Sequence, residues 1–121
     1  MSKRESETIT LAVSQHHRAM YCLSAHTMIG KLNGFSDGEI IQLRRGRAPF
    51  DGRLDALVQL AKGIVEEKEK VTPILLENFF NEGYTLENLV DLLHVVGDSF
   101  ITNFTGKVLD VSIDFPLVDE L

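Results

Sequence analysis

An all-α fold is predicted for this 121-residue chain. Apolar residues recur at helical spacing over long stretches. Prolines stand only at 49, 73 and 116, which leaves room for uninterrupted helices. No alternating apolar–polar run is bounded by hairpin dipeptides. The first helix begins within Ser2–Ser6 and runs to about Ser14, with Ile9, Ala12 and Val13 as its apolar stripe. Gln15-His-His-Arg18 reads as a polar break. The second helix covers about Ala19 to Lys31, and Asn33-Gly34 is its stop. Ser36-Asp-Gly-Glu39 has the form of a capping box and opens a third helix to about Arg45. Gly46–Phe50 is a loop. Asp51 caps a fourth helix, in which Leu54, Leu57, Val58, Ala61, Ile64 and Val65 keep the helical period. Glu66–Lys70 is a charged, solvated end. Thr72-Pro73 gives a cap followed by proline at the first helical position, for a fifth helix to about Asn81 that Gly83 stops. Thr85 caps the last long helix, to about Phe104.

That last helix is apolar on most sides: Leu86, Leu89, Val90, Leu92, Leu93, Val95, Val96, Phe100, Ile101 and Phe104. Such a helix is central to a core or lies between subunits. A chain of this length has little capacity to bury it fully, so a homo-oligomer is expected. The tail, Val111–Val118, is extended and apolar and is expected to pack on the domain or on a neighbour. One domain over residues 1–121 is expected.

Apolar residues make up 44% of the chain and charged residues 25%, the balance of a soluble globular protein. The net charge of −6 argues against nucleic acid and anionic membrane as partners. Among the basic residues only Arg44, Arg45 and Arg47 cluster, and they read as the polar end of a helix. No apolar run approaches the ~18 residues of a membrane span. The polar start has no apolar signal-peptide core, and one cysteine cannot staple a fold. A cytoplasmic compartment is therefore the expectation.

Cys22 is the only cysteine, and His26 follows it by one helical turn. Residues four apart share a helix face. Only the thiolate is a strong nucleophile, and a basic neighbour or a helix N-terminus favours it. If the break at 15–18 folds the first two helices together, Glu7 approaches His26 and Cys22 as a third member that orients the imidazole. Against this stands the common role of a free cysteine as a small buried hydrophobe. Glu7 taken alone reads as a solvated helix residue. Tyr21 is either a half-buried packing residue or a donor to substrate. His94 is either a core histidine bonded to a backbone carbonyl or a site-lining residue. His16, His17 and His26 lack the spacing of a metal site, and the first two read as exposed loop residues. Asn103 is expected to satisfy buried backbone groups. Gly63, Gly97 and Gly106 form no phosphate loop, and Phe79-Phe80 is core or interface rather than a cofactor platform. No cofactor is expected.

Residues Glu7 through Lys31, with Tyr-Cys-Leu-Ser-Ala-His26 at their centre, resemble the core of the alkylhydroperoxidase D-like, or carboxymuconolactone decarboxylase, family. The similarity continues through Gly34-Phe-Ser-Asp-Gly-Glu-Ile40, Arg44…Asp51 and Phe100-Ile-Thr-Asn103, and so covers about residues 3 to 110. The resemblance implies a compact all-helical domain of about six helices, assembled as a trimer or hexamer. It implies Cys22 as the peroxidatic thiol, with Glu7 and His26 relaying the proton. It also implies a dithiol or lipoyl-protein reductant. The chain departs from the motif at Ala19, where redox members carry the resolving cysteine. Two origins of Ala19 fit equally, a natural residue or an introduced replacement. Sulfenic acid can form at Cys22, but no second thiol of the chain can condense with it. Ala19, Tyr21, His17 and His94 are the expected site-lining residues. The expected activity is that of a thiol-dependent peroxidase lacking its resolving step. The alternatives are a non-redox decarboxylase-like enzyme acting on a small lactone or carboxylate, and a catalytically disabled oligomeric member.

Overall fold

The computed structural model describes residues 1–66 and 73–121. Six helices follow one another: α1 (Lys3–His16), α2 (Met20–Leu32), α3 (Asp37–Arg44), α4 (Gly52–Glu66), α5 (Pro73–Asn81) and α6 (Leu86–Val108). Among the described residues there is no strand, as the spacing of apolar residues predicts. The caps at Ser36, Asp51 and Thr85 form as expected. Ser36 and Glu39 exchange side-chain bonds at 3.1 and 2.8 Å, and Thr85 does the same with Asn88 at 3.0 and 3.1 Å. Asp51 Oδ1 accepts from the Arg53 and Leu54 amides at 3.0 and 3.1 Å. Each bond satisfies a helix-start donor that has no partner within the helix. The Thr72 cap and the charged run 67–70 lie outside the described residues.

Two boundaries differ from the sequence reading. α1 continues past Ser14 to His16, and the chain reverses at Arg18, whose φ of 52° is left-handed. The Ala19 amide bonds Ser14 O at 2.9 Å and closes the turn. Arginine carries no signal for that conformation, so the break looked longer in the sequence than it is. α6 likewise runs past Phe104 to Val108.

The centre of the fold is α1, not the apolar α6. Every residue from Glu7 to Ser14 is buried, because α1 packs against α2, α3, α4 and α6 at once. Its apolar residues Ile9, Leu11 and Val13 meet Ile40, Leu43, Leu57, Val58, Leu60, Phe79 and Leu92 in one core. Its polar residues survive burial by bonding. Thr8 Oγ1 donates to Arg4 O at 2.8 Å, Thr10 Oγ1 accepts from Ser99 at 3.2 Å, and Ser14 donates to Asn103 Oδ1 at 2.9 Å. α6 supplies those partners through a narrow polar line, and only Leu92, Ser99 and Asn103 of it are buried. Its Phe100, Ile101, Phe104 and Val108 are exposed.

α5 closes on α4 at Gly63, where an added Cβ would lie 2.5 Å from Leu75 Cδ1. That contact explains a glycine inside a helix. Phe79 is wholly buried and stacks on Tyr84 at 4.5 Å, whereas Phe80 is exposed. Tyr84 donates to Glu5 Oε2 at 2.6 Å under the Arg53 guanidinium, tying the start of α1 to the start of α6.

The basic cluster also needs correction. Arg45 and Arg47 are exposed, but Arg44 is buried. Its Nε donates to Gln15 Oε1 at 2.9 Å and its Nη2 to the Asp119 carbonyl at 2.6 Å. The tail folds back along α2 on its own domain, without regular structure beyond Asp110. Among the described residues no helix is long and apolar enough to cross a membrane.

Candidate active site

α1 and α2 form a hairpin that pairs Glu7 with His26, while the cavity that Cys22 borders is lined by neither of them. Glu7, on the buried stretch of α1, accepts from His26 Nδ1 at 2.7 Å across 19 residues of sequence. The carboxylate is mostly shielded and the imidazole partly open, with side-chain exposures of 12% and 26%. Glu7 is thus a buried partner rather than a solvated helix residue. A carboxylate only accepts, so the ring hydrogen sits on Nδ1. In the neutral imidazole the lone pair is then on Nε2, free to take a proton.

Cys22 lies one turn before His26 and is 5% exposed. It is hydrogen-bonded to neither His26 nor Glu7. Burial pushes its thiol above the ordinary 9.0, and the Thr102 hydroxyl beside it acts in the opposite direction. Burial thus works against the thiolate that a helix N-terminus favours. Cys22 nevertheless borders an open cavity of about 200 Å³, together with Arg18, Ala19, Tyr21, Asn103 and Lys107. Ala19 is the N-cap of α2 and forms no side-chain cap. Tyr21 is half-buried, and its ring meets Phe115 edge-on at 5.7 Å.

His17 is not an exposed loop residue. It is partly buried against Phe100 and Phe104, at ring distances of 5.3 and 5.0 Å. Asn103 Nδ2 donates to His17 Nδ1 at 2.9 Å, while Asn103 Oδ1 takes the Ser14 hydroxyl. Asn103 thus serves side chains, not the backbone groups expected of it. Lys107 caps the His17 carbonyl. His94 also departs from expectation: it is exposed on α6, neither in the core nor among the residues lining the cavity beside Cys22. Among the described residues, no three His, Cys, Asp or Glu side chains converge as a metal site would require.

Burial holds the His17 pKa below its ordinary 6.5, with His16 and Lys107 adding to the effect. The neutral ring is therefore the folded form. Between the folded pKa and 6.5 the unfolded chain binds the extra proton. His17 stabilises fully above pH 6.5, and that contribution is lost as pH falls below it. In urea denaturation, His17→Gln should flatten the loss of stability just below pH 6.5.

Thr102, Asn103 and Lys107 belong to the site, and the sequence reading gave them no such role. Their signal was nonetheless present. Ser99, Asn103, Gly106 and Lys107 form a line of small and polar residues at helical spacing through an apolar helix. The sequence model of the carboxymuconolactone decarboxylase family matches residues 1–69. That stretch holds Glu7, Cys22 and His26 but not α6. Among curated proteins no match is found.

Proposed function

The chain belongs to the carboxymuconolactone decarboxylase family, and on that premise we propose that it reduces organic hydroperoxides through Cys22. The observation that carries this reading is the 2.7 Å bond between Glu7 and His26. It orients a bare ring nitrogen one helical turn from a thiol that burial keeps protonated. A thiol held in that form needs a base at the moment of attack, and Glu7 stabilises the imidazolium that results.

In the proposed step, Sγ attacks the terminal peroxide oxygen. The S–O bond forms and the O–O bond breaks. The thiol proton passes through His26 to the departing alkoxide, leaving an alcohol and the sulfenic acid of Cys22. With Ala19 in the resolving position, an external dithiol completes the cycle. One of its thiols attacks the sulfenic sulfur and releases water. Its second thiol then displaces Cys22 and leaves the reductant as a disulfide. The exposed apolar face of α6 supports assembly into a homo-oligomer, a trimer or hexamer.

Treatment with cumene hydroperoxide followed by mass spectrometry tests the reading. A one-oxygen adduct that dimedone traps on Cys22, and that Cys22→Ser abolishes, is the expected result. The absence of any adduct under excess peroxide contradicts it. Lactone decarboxylation that persists in Cys22→Ser would favour the non-redox alternative instead.

A further inference from the structure

We propose that residues 111–121 are a strap that gates access to Cys22, with Arg44 as its latch. The proposal rests on Cys22 being the reactive group of the site. α6 ends in a turn at Asp110, whose φ of 50° is left-handed, and the Val111 amide bonds Gly106 O at 3.1 Å. The chain thereby leaves the helix in a fixed direction. Asp110, Val111 and Ile113 then form one wall of the cavity that Cys22 borders. Beyond them, Phe115 precedes Pro116, which restricts Phe115 to extended backbone and lays the strap along α2.

The fastenings are few and local. Phe115 packs edge-on against Tyr21, one residue before the thiol. The Val118 amide donates to Ser24 Oγ at 3.3 Å, and Arg44 Nη2 donates to the Asp119 carbonyl at 2.6 Å. No backbone–backbone bond joins residues 112–121 to the described remainder of the domain. Leu117, 69% exposed, gains little from staying docked. Such a segment opens at a small fraction of the global unfolding free energy.

Arg44 is what makes the docked state the favoured one. Its guanidinium is buried, and one of its two bonds is to the strap. The bond is made by a charged donor shielded from water in the docked state, so it is the strongest of the three fastenings. The same wall that shields Cys22 is therefore tethered at a point remote from it, on α3.

Two readouts, neither of which requires peroxidase activity, test the gate. Hydrogen exchange of the Val118 amide reports docking, and the iodoacetamide rate at Cys22 reports access. Arg44→Met should raise both together, by on the order of tenfold. Ser24→Ala keeps Arg44 but removes the acceptor of the Val118 amide itself, so it is read by alkylation alone, which it should raise by a smaller factor. In Arg44→Met, faster exchange at Val118 with an unchanged alkylation rate would overturn the gate. Unchanged exchange in Arg44→Met would overturn the latch. A failure of Cys22 to react with peroxide while the alkylation rates follow the strap would count against the proposed function and leave the gate standing.

Discussion

Replacing Glu7 by glutamine should slow the oxidation of Cys22 by organic hydroperoxide on the order of a hundredfold, with the fold intact. Glutamine matches the carboxylate in shape, and its amide oxygen can still accept from His26 Nδ1 in place of the 2.7 Å bond. What is lost is the negative charge that stabilises the imidazolium as the thiol proton arrives. The thiol itself is held protonated by burial, so the step depends on that base. Stopped-flow kinetics measure the effect, and an unchanged thermal midpoint separates it from unfolding. Because Glu7 is buried in α1 among well-bonded neighbours, Glu7→Ala is a poorer test: it opens a void as well as removing the charge.

The second large effect concerns Ala19. Ala19→Cys should replace the slow attack of an external thiol on the Cys22 sulfenic acid with an internal one, so that the variant forms a disulfide and resists over-oxidation. Positions 19 and 22 span the first turn of α2, and both line the same cavity. Their Cα atoms are about 5 Å apart by helix geometry, within disulfide range. The introduced thiol attacks the sulfenic sulfur and expels water, forming the disulfide within the subunit. As an intramolecular step it should outpace a free thiol at least about a hundredfold. Titration of free thiols after one equivalent of peroxide gives the count: two lost per subunit in the variant. A second thiol that stays free would show that the α2 start cannot bring the two sulfurs together.

The fold was largely legible because capping chemistry and helical periodicity are local. Ser36, Asp51 and Thr85 do at the helix starts what their side chains dictate anywhere. The Glu7–His26 pair was legible through spacing and the resemblance, but not its burial. The reason is that α1 has a modest apolar stripe and gains its central place from tertiary partners. Ser14 and Thr10 are buried only because Asn103 and Ser99 meet them from a helix nearly ninety residues away. His17 was misread for the same reason: its partners Asn103, Phe100 and Phe104 lie on α6. His94 failed in the opposite sense. It interrupts an apolar run, but on a face of α6 that the domain leaves open. The raised thiol of Cys22 could not be read either, since its burial depends on tertiary neighbours that the sequence does not place.

The most direct measurement compares two rates of oxidation of Cys22 by cumene hydroperoxide, one for the native protein and one for the chain unfolded in denaturant at the same pH. If Glu7 and His26 activate the sulfur, the native rate exceeds the unfolded rate by tenfold or more, despite burial. A native rate below that of the unfolded chain would mean that the site only shelters the thiol.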